Sequence, residues 1–176
     1  MQKILSILLL AGMLCPLSVA AQEIEWGSEE RKFPQGAFFV DLFGESLTYS
    51  INYDQRFFRK SGGLGAKVGV GYFGIGSNSS GVKIVTIPIT VNYLAGKRGN
   101  YFEMGLGMNI HNANWGFVNG KNKSAFSTVG TVNLGYRRQP ADGGFLFRGY
   151  LSPLFQPGGS GFFWPLWVGI SFGYAF

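Results

Sequence analysis

The chain has 176 residues and a formal net charge of +6, with only 14% charged residues against 28 Gly, 17 Phe, 8 Tyr and 4 Trp. That length bounds it to one domain, and its one cysteine, Cys15, excludes a disulfide framework and a cysteine metal site. The basic residues fall in scattered pairs rather than in a stripe along one face, which excludes a nucleic-acid footprint.

Taken in chain order, residues 1–21 read as a secretory signal. Lys3 precedes an apolar run over residues 4–14, and Ser18-Val19-Ala20-Ala21 supplies a small-residue cleavage site. Cleavage after Ala20 or Ala21 fits, and Ala21 is taken as the boundary. The run is too short to cross a bilayer as a helix. Cys15 lies inside this segment, and Leu14 before it spoils a lipoprotein box, so the mature chain is expected to carry no thiol. Residues 22–35 hold Glu23, Glu25, Glu29, Glu30, Arg31 and Lys32 around Trp26 without periodicity, and read as a periplasmic lead-in tail.

From residue 36 onward the pattern changes to short segments of period two, in which one strand face is apolar and the other small or polar. The first strand is predicted over residues 37–43, with Phe38, Val40 and Leu42 on one face. The second covers residues 47–57, with Leu47, Tyr49, Ile51, Tyr53 and Phe57 outward against Thr48, Ser50, Asn52, Asp54 and Arg56. The third, residues 64–73, sets Leu64, Ala66, Val68, Val70 and Tyr72 against Gly65, Lys67, Gly69 and Gly71. The fourth, residues 82–94, alternates Val85, Ile87, Ile89, Val91 and Tyr93 with Thr86, Pro88, Thr90 and Asn92. Proline removes a ladder donor, so Pro88 predicts a local bulge.

The fifth strand, residues 101–111, places Phe102, Met104, Leu106, Met108 and Ile110 outward and Glu103, Gly105, Gly107, Asn109 and His111 inward. The sixth, residues 125–137, is weaker, with Val132, Leu134 and Tyr136 outward. The seventh, residues 145–153, turns Phe145, Phe147 and Leu151 outward and Arg148, Tyr150 and Ser152 inward. The eighth, residues 166–176, is the most regular: Leu166, Val168, Ile170, Phe172, Tyr174 and Phe176 alternate with Trp167, Gly169, Ser171, Gly173 and Ala175.

Apolar-outward segments of about ten residues match a tilted strand that crosses a bilayer, which needs roughly 9–11. Lipid leaves no water to pair an open sheet edge, so membrane strands must close into a barrel, and eight is an allowed even number. Tyr53, Tyr93, Tyr136 and Tyr174 recur at separations of 40, 43 and 38 residues near the ends of even-numbered strands. With a periplasmic N-terminus all four fall in the periplasmic aromatic girdle. The basic pairs Arg59-Lys60, Lys97-Arg98 and Arg137-Arg138 follow them and are assigned to the three periplasmic turns.

A chain whose terminal strand carries Ile170, Phe172 and Tyr174 and ends on Phe176 resembles the small OmpA/OmpX-like family of bacterial outer-membrane β-barrels. The resemblance spans residues 36–176 by pattern, and its specific part is the terminal strand. It implies an all-β, eight-stranded, antiparallel up-and-down transmembrane barrel in the outer membrane of a Gram-negative envelope. It implies that the last strand closes the barrel and is read by the barrel-assembly machinery, and that the other partners are outer-membrane lipid and lipopolysaccharide. No periplasmic domain follows the barrel pattern, so the tethering role of larger relatives does not carry over. Nor does the pattern contain the long protruding strands associated with adhesion in some small relatives.

The inward residues include Asp41, Asp54, Arg56, Lys67, Glu103 and Arg148. An eight-stranded lumen is just wide enough for side chains to fill, and charges there must be paired, so these six are expected to form a plug. A porin-like narrow path for small solutes is the competing reading, disfavoured because the inward glycines narrow the wall. Gly69-Val70-Gly71-Tyr72-Phe73-Gly74 matches a dinucleotide fingerprint, but it lies within a strand with no helix to follow. A lipid A-modifying enzyme needs a His with a Ser and a carboxylate. His111 is the only histidine, Ser152 and Glu45 are its conceivable partners, and nothing in their spacing joins them, so no catalytic residue, cofactor or metal is assigned. A soluble secreted β-sandwich is the fold-level alternative. The loops are predicted at the tight turn Gly44-Glu45-Ser46 and at residues 74–81, 112–124 and 154–165. The last two carry the candidate contacts Trp115, Phe117, Phe162, Phe163 and Trp164, which are expected to embed in the lipopolysaccharide leaflet. A monomer is favoured.

Overall fold

The computed structural model describes residues 33–46, 48–77, 80–118, 121–157, 161 and 163–176. The signal segment, residues 22–32 of the tail, and Phe162 lie outside the described residues. Strand β1 (Gly36–Phe43) leads through a 3-10 turn (Gly44–Ser46) to β2 (Tyr49–Arg56), β3 (Gly63–Ser77), β4 (Ser80–Lys97), β5 (Asn100–Val118) and β6 (Lys121–Arg138). There follow β7 (Gly144–Leu151), β8 (Leu154–Phe155), β9 (Phe163–Trp164) and β10 (Val168–Ala175). Strands β1 to β7 each pair antiparallel with the next, β8 pairs with β6 and β9, and β10 pairs with β7 and β1. The result is a closed, eight-stave, up-and-down barrel, with β7 and β8 forming one stave and β9 and β10 the next.

Proline explains both interrupted staves. β6 pairs with β7 and β8 in one continuous register, so Pro153 breaks the stave without shifting it. Val132 N–H donates to the Pro153 carbonyl at 3.2 Å and Ser152 N–H to that of Trp167 at 2.6 Å, which carries the ladder across the gap. Between β9 and β10 the pairing shifts by one residue around residues 165–167, a bulge at Pro165. Pro88 behaves differently from the expectation. The β3–β4 ladder lacks pairs opposite Ile87 and Pro88 but resumes in the same register, so there is no bulge there.

The barrel seals at its last residue. Gly36 and Phe176 exchange backbone hydrogen bonds of 3.1 and 2.8 Å, and the Phe176 ring stacks on Phe38 at 5.8 Å. Ile170, Phe172, Tyr174 and Phe176 all face outward and are exposed. They belong to a belt of outward apolar side chains that runs over every long stave, from Phe38 and Ile51 through Val70, Ile89, Leu106 and Leu134 to Phe145. Tyr53, Tyr93, Tyr136 and Tyr174 also face outward, each cross-paired with an outward apolar residue near the end of the barrel where β1 starts. That end is called the base below, and the opposite end the rim.

Two expectations about the ends are corrected. Strands β3 to β6 run 15, 18, 19 and 18 residues, beyond the roughly 9–11 that a bilayer requires. Most of residues 74–81 and 112–124 is therefore strand, and Trp115 sits in β5. The β3–β4 and β5–β6 hairpins project past the short β1, β2, β7 and β10 at the rim, so protruding strands are present. Alternation had faded there because Ser, Asn, Lys and Gly occupy both faces.

At the base, residues 33–35 are part of the barrel rather than of a free tail. Phe33 is buried against Leu94 and edge-on to Tyr101 at 5.8 Å. The Pro34 carbonyl accepts from Gln139 at 3.2 Å, and the Gln35 carbonyl from Arg56 N–H at 2.7 Å. Of the base turns, Arg98 (φ 56°) and Gly99 (φ 83°) form the two-residue link between paired Lys97 and Asn100. Positive φ at both central positions is the hairpin turn whose twist suits the flanking strands.

Candidate functional site: the charged lumen and the cavity above it

Alternation sends Asp41, Asp54, Arg56, Lys67, Glu103 and Arg148 into the lumen, where all six are buried. The structure brings all six together and adds two that were not expected. Arg137, assigned from sequence to a base turn, is fully buried inside the barrel. It follows the inward Gly135 at period two, so continuing the β6 alternation by one step would have found it. Glu45 of the 3-10 turn is also buried. Its approach depends on the backbone, since Phe43 and Gly44 both adopt positive φ (60° and 62°) and fold the turn into the mouth of the barrel. Trp167 Nε1 donates to the Gly44 carbonyl at 2.5 Å and holds the turn there.

These eight groups form one chain of alternating sign. Glu45 binds Lys67 at 2.7 Å, and Lys67 reaches Asp41 at 3.3 Å. Asp41 meets Arg148 at 3.3 Å, and Arg148 grips Glu103 through Nε and Nη2, both at 2.8 Å. Glu103 lies 3.7 Å from Arg137, Arg137 is paired with Asp54, and Asp54 binds Arg56 at 2.6 Å. Four acids and four bases thus meet inside the barrel with no net formal charge among them. Moving a carboxylate or guanidinium out of water costs several kcal/mol per ion, so the chain persists only because each member has partners.

Neutral side chains add to the coordination. Asn52 and Ser171 donate to Asp41, Thr90 to Glu45 at 2.7 Å and Asn133 to Glu45, while Arg56 donates to Asn92 and to the Gly63 carbonyl at 3.2 Å. Arg148 is also held between two rings, 4.8 Å from the centroid of Phe39 and 4.6 Å from that of Tyr150. The glycines have a different role from the wall-narrowing one expected. Tyr150 is cross-paired with both Gly135 and Gly169, and a Cβ on either would collide with its ring or backbone. These positions make room for large inward side chains.

Above the charges the lumen passes through neutral polar side chains to an apolar uppermost row. Strand register stacks its inward residues in rows: Thr90, Gly107 and Thr131, then Pro88, Asn109 and Val129, then Thr86, His111 and Ser127, then Ile84, Ala113 and Ala125. The upper rows enclose a cavity of about 450 Å³ that reaches Trp115, Trp164 and Trp167 at the rim. His111 is buried, its Nδ1 3.0 Å from Thr86 Oγ1. The Glu45 carboxylate is taken by Lys67, Thr90 and Asn133, and Ser152 Oγ has no hydrogen-bond partner, so the three residues that a hydrolytic relay would use are not joined. Among the described residues no cluster of His, Cys, Asp or Glu is arranged to hold a metal ion. Gly69 to Gly74 lie within β3, and the next described element is the strand β4 rather than a helix. Of the other candidate contacts, Phe163 and Trp164 are exposed on β9, and the Phe117 side chain and Phe162 lie outside the described residues.

No protein-family model matches the chain, and no curated protein sequence does. Solved structures do. The N-terminal β-barrel domain of Pseudomonas aeruginosa OprF superposes with a TM-score of 0.55 at 10% identity, over 82% of this chain and 99% of that one. Ail, the attachment invasion locus protein of Yersinia pestis, solved with the heparin analogue sucrose octasulfate, gives a TM-score of 0.52 at 12% identity, over 80% and 94%. The chain has the fold of an eight-stranded outer-membrane barrel. At these identities the likeness establishes architecture and nothing finer.

Proposed function

We propose that this protein is an integral barrel of a bacterial outer membrane with a structural or interaction role in the envelope, its lumen stoppered by the alternating charge chain. The observation that carries the reading is the inversion of its two faces. Exposed Phe, Ile, Val, Leu and Tyr side chains cover the outside of a closed sheet, while eight charged groups are buried inside. In water such a belt would be a large aggregation-prone patch; in lipid it is the required surface.

On this reading residues 1–21 are a signal peptide, the base with its tyrosines faces the periplasm, and the projecting hairpins face outward into lipopolysaccharide. The terminal strand, ending on Phe176, is the segment offered to the barrel-assembly machinery. The barrel is monomeric and performs no catalysis.

The test is fractionation followed by electrophoresis of unboiled and boiled samples. The protein is expected in the outer-membrane fraction, with a mobility shift on boiling and β-type circular dichroism in mild detergent. Recovery from the soluble periplasm without a shift would overturn the membrane assignment.

A further inference from the structure

The apolar cavity above the charge plug has the features of a ligand site. Its volume of about 450 Å³ falls in the range of small-molecule pockets, which are mostly apolar with a few placed polar groups. Ile84, Ala113 and Ala125 form a row of small or aliphatic side chains across three strands, and Val129 and Leu154 are buried in the wall below. Indole rings stand at the mouth. Trp164 and Trp167 meet edge to face at 6.4 Å and 84°, and each is fixed by its N–H, Trp164 to the Leu166 carbonyl at 3.1 Å and Trp167 to that of Gly44 at 2.5 Å. The walls are therefore set before anything enters.

At the inner end lies a polar group without a partner. His111 is 6% exposed and lines the cavity, and its Nδ1 faces Thr86 while Nε2, buried, has no hydrogen-bond partner. A buried polar atom left unpaired costs free energy that a matching ligand group recovers. Among the described residues no cation lines the cavity; Lys67, Arg137 and Arg148 are engaged with carboxylates beneath it.

The geometry points to a binding site, open at the rim, for a small uncharged aromatic molecule carrying one hydroxyl group: a flat body between the indoles and one hydrogen bond to His111 Nε2. Flat rings gain from aromatic walls beyond the area they bury. A hydroxyl both donates and accepts, so it suits either tautomer of the imidazole.

The site is tested on the folded barrel in phosphatidylcholine nanodiscs, in a Trp26→Phe background that leaves Trp115, Trp164 and Trp167 as reporters. The probe is 6-bromo-2-naphthol, whose bromine quenches indole fluorescence, with 2-bromonaphthalene as its counterpart without a hydroxyl. Quenching by the naphthol is expected to saturate at one molecule per barrel. His111→Phe is expected to weaken the naphthol at least tenfold and to leave bromonaphthalene unchanged. Ala113→Phe, or Ala125→Phe if the first variant loses its heat shift, is expected to abolish saturable quenching by both. Quenching that only rises in proportion to probe in the lipid, that is insensitive to the filling variants, or that is the same for naphthol in His111→Phe would overturn the site.

Discussion

Arg148 shows how much of the interior rests on single side chains. It touches Asp41, Glu103 and two aromatic rings at once, and Arg148→Ala would leave two carboxylates buried with a missing partner. Breaking a buried pair from one side is costly, so equilibrium unfolding in lipid vesicles is expected to show a loss of about 3–5 kcal/mol. Removing Arg148 and Glu103 together should cost less than Arg148 alone, since one of the two stranded charges goes with it. A second test concerns Tyr150 and its glycines. Gly169→Val is expected to destabilise by about 1–3 kcal/mol through overpacking, and a Tyr150→Ala background should recover most of that loss. The six charges read from sequence are legible because each sits opposite the outward apolar face of its strand. Glu45 was not legible, since period two ends at Phe43 and only the backbone of the turn determines where the carboxylate goes.

Among the elements, the terminal strand and the base segment carry the sharpest expectations. β10 was readable almost residue by residue because aromatic and β-branched side chains alternate with Gly, Ser and Ala up to the chain end. Deleting Phe176 removes a stacked ring and one residue of the closing ladder. Refolding yield, read from the heat-shifted band, is expected to fall, while a Phe176→Tyr variant folds like the parent. Residues 33–35 are not legible as barrel in the sequence because three residues offer no period. Phe33 nonetheless fills the base beside Leu94 and Tyr101, and Phe33→Ala is expected to cost about 3–5 kcal/mol, the range for a buried Phe. The projecting parts of β3 to β6 escaped sequence reading for a different reason. Outside lipid neither face has to be apolar, so the pattern that marks a membrane strand stops before the strand does.

For the whole molecule, the closure of the barrel followed from the membrane argument, but the pairing of the inward charges did not. Sequence parity says which side chains point inward, whereas which carboxylate meets which cation depends on strand stagger, and that is visible only in three dimensions. The alternating chain from Glu45 to Arg56 draws on β1, β2, β3, β5, β6, β7 and the rim turn, so it ties the staves together as well as filling the space between them. The most direct test is single-channel recording of the purified barrel in planar bilayers, beside the Glu103→Ala/Arg148→Ala double variant, with folding of both checked by heat shift. The native barrel is expected to pass no resolved unitary current, and the double variant to show discrete openings. Stable ion-conducting steps from the native protein would contradict a plugged lumen and make the barrel a pore.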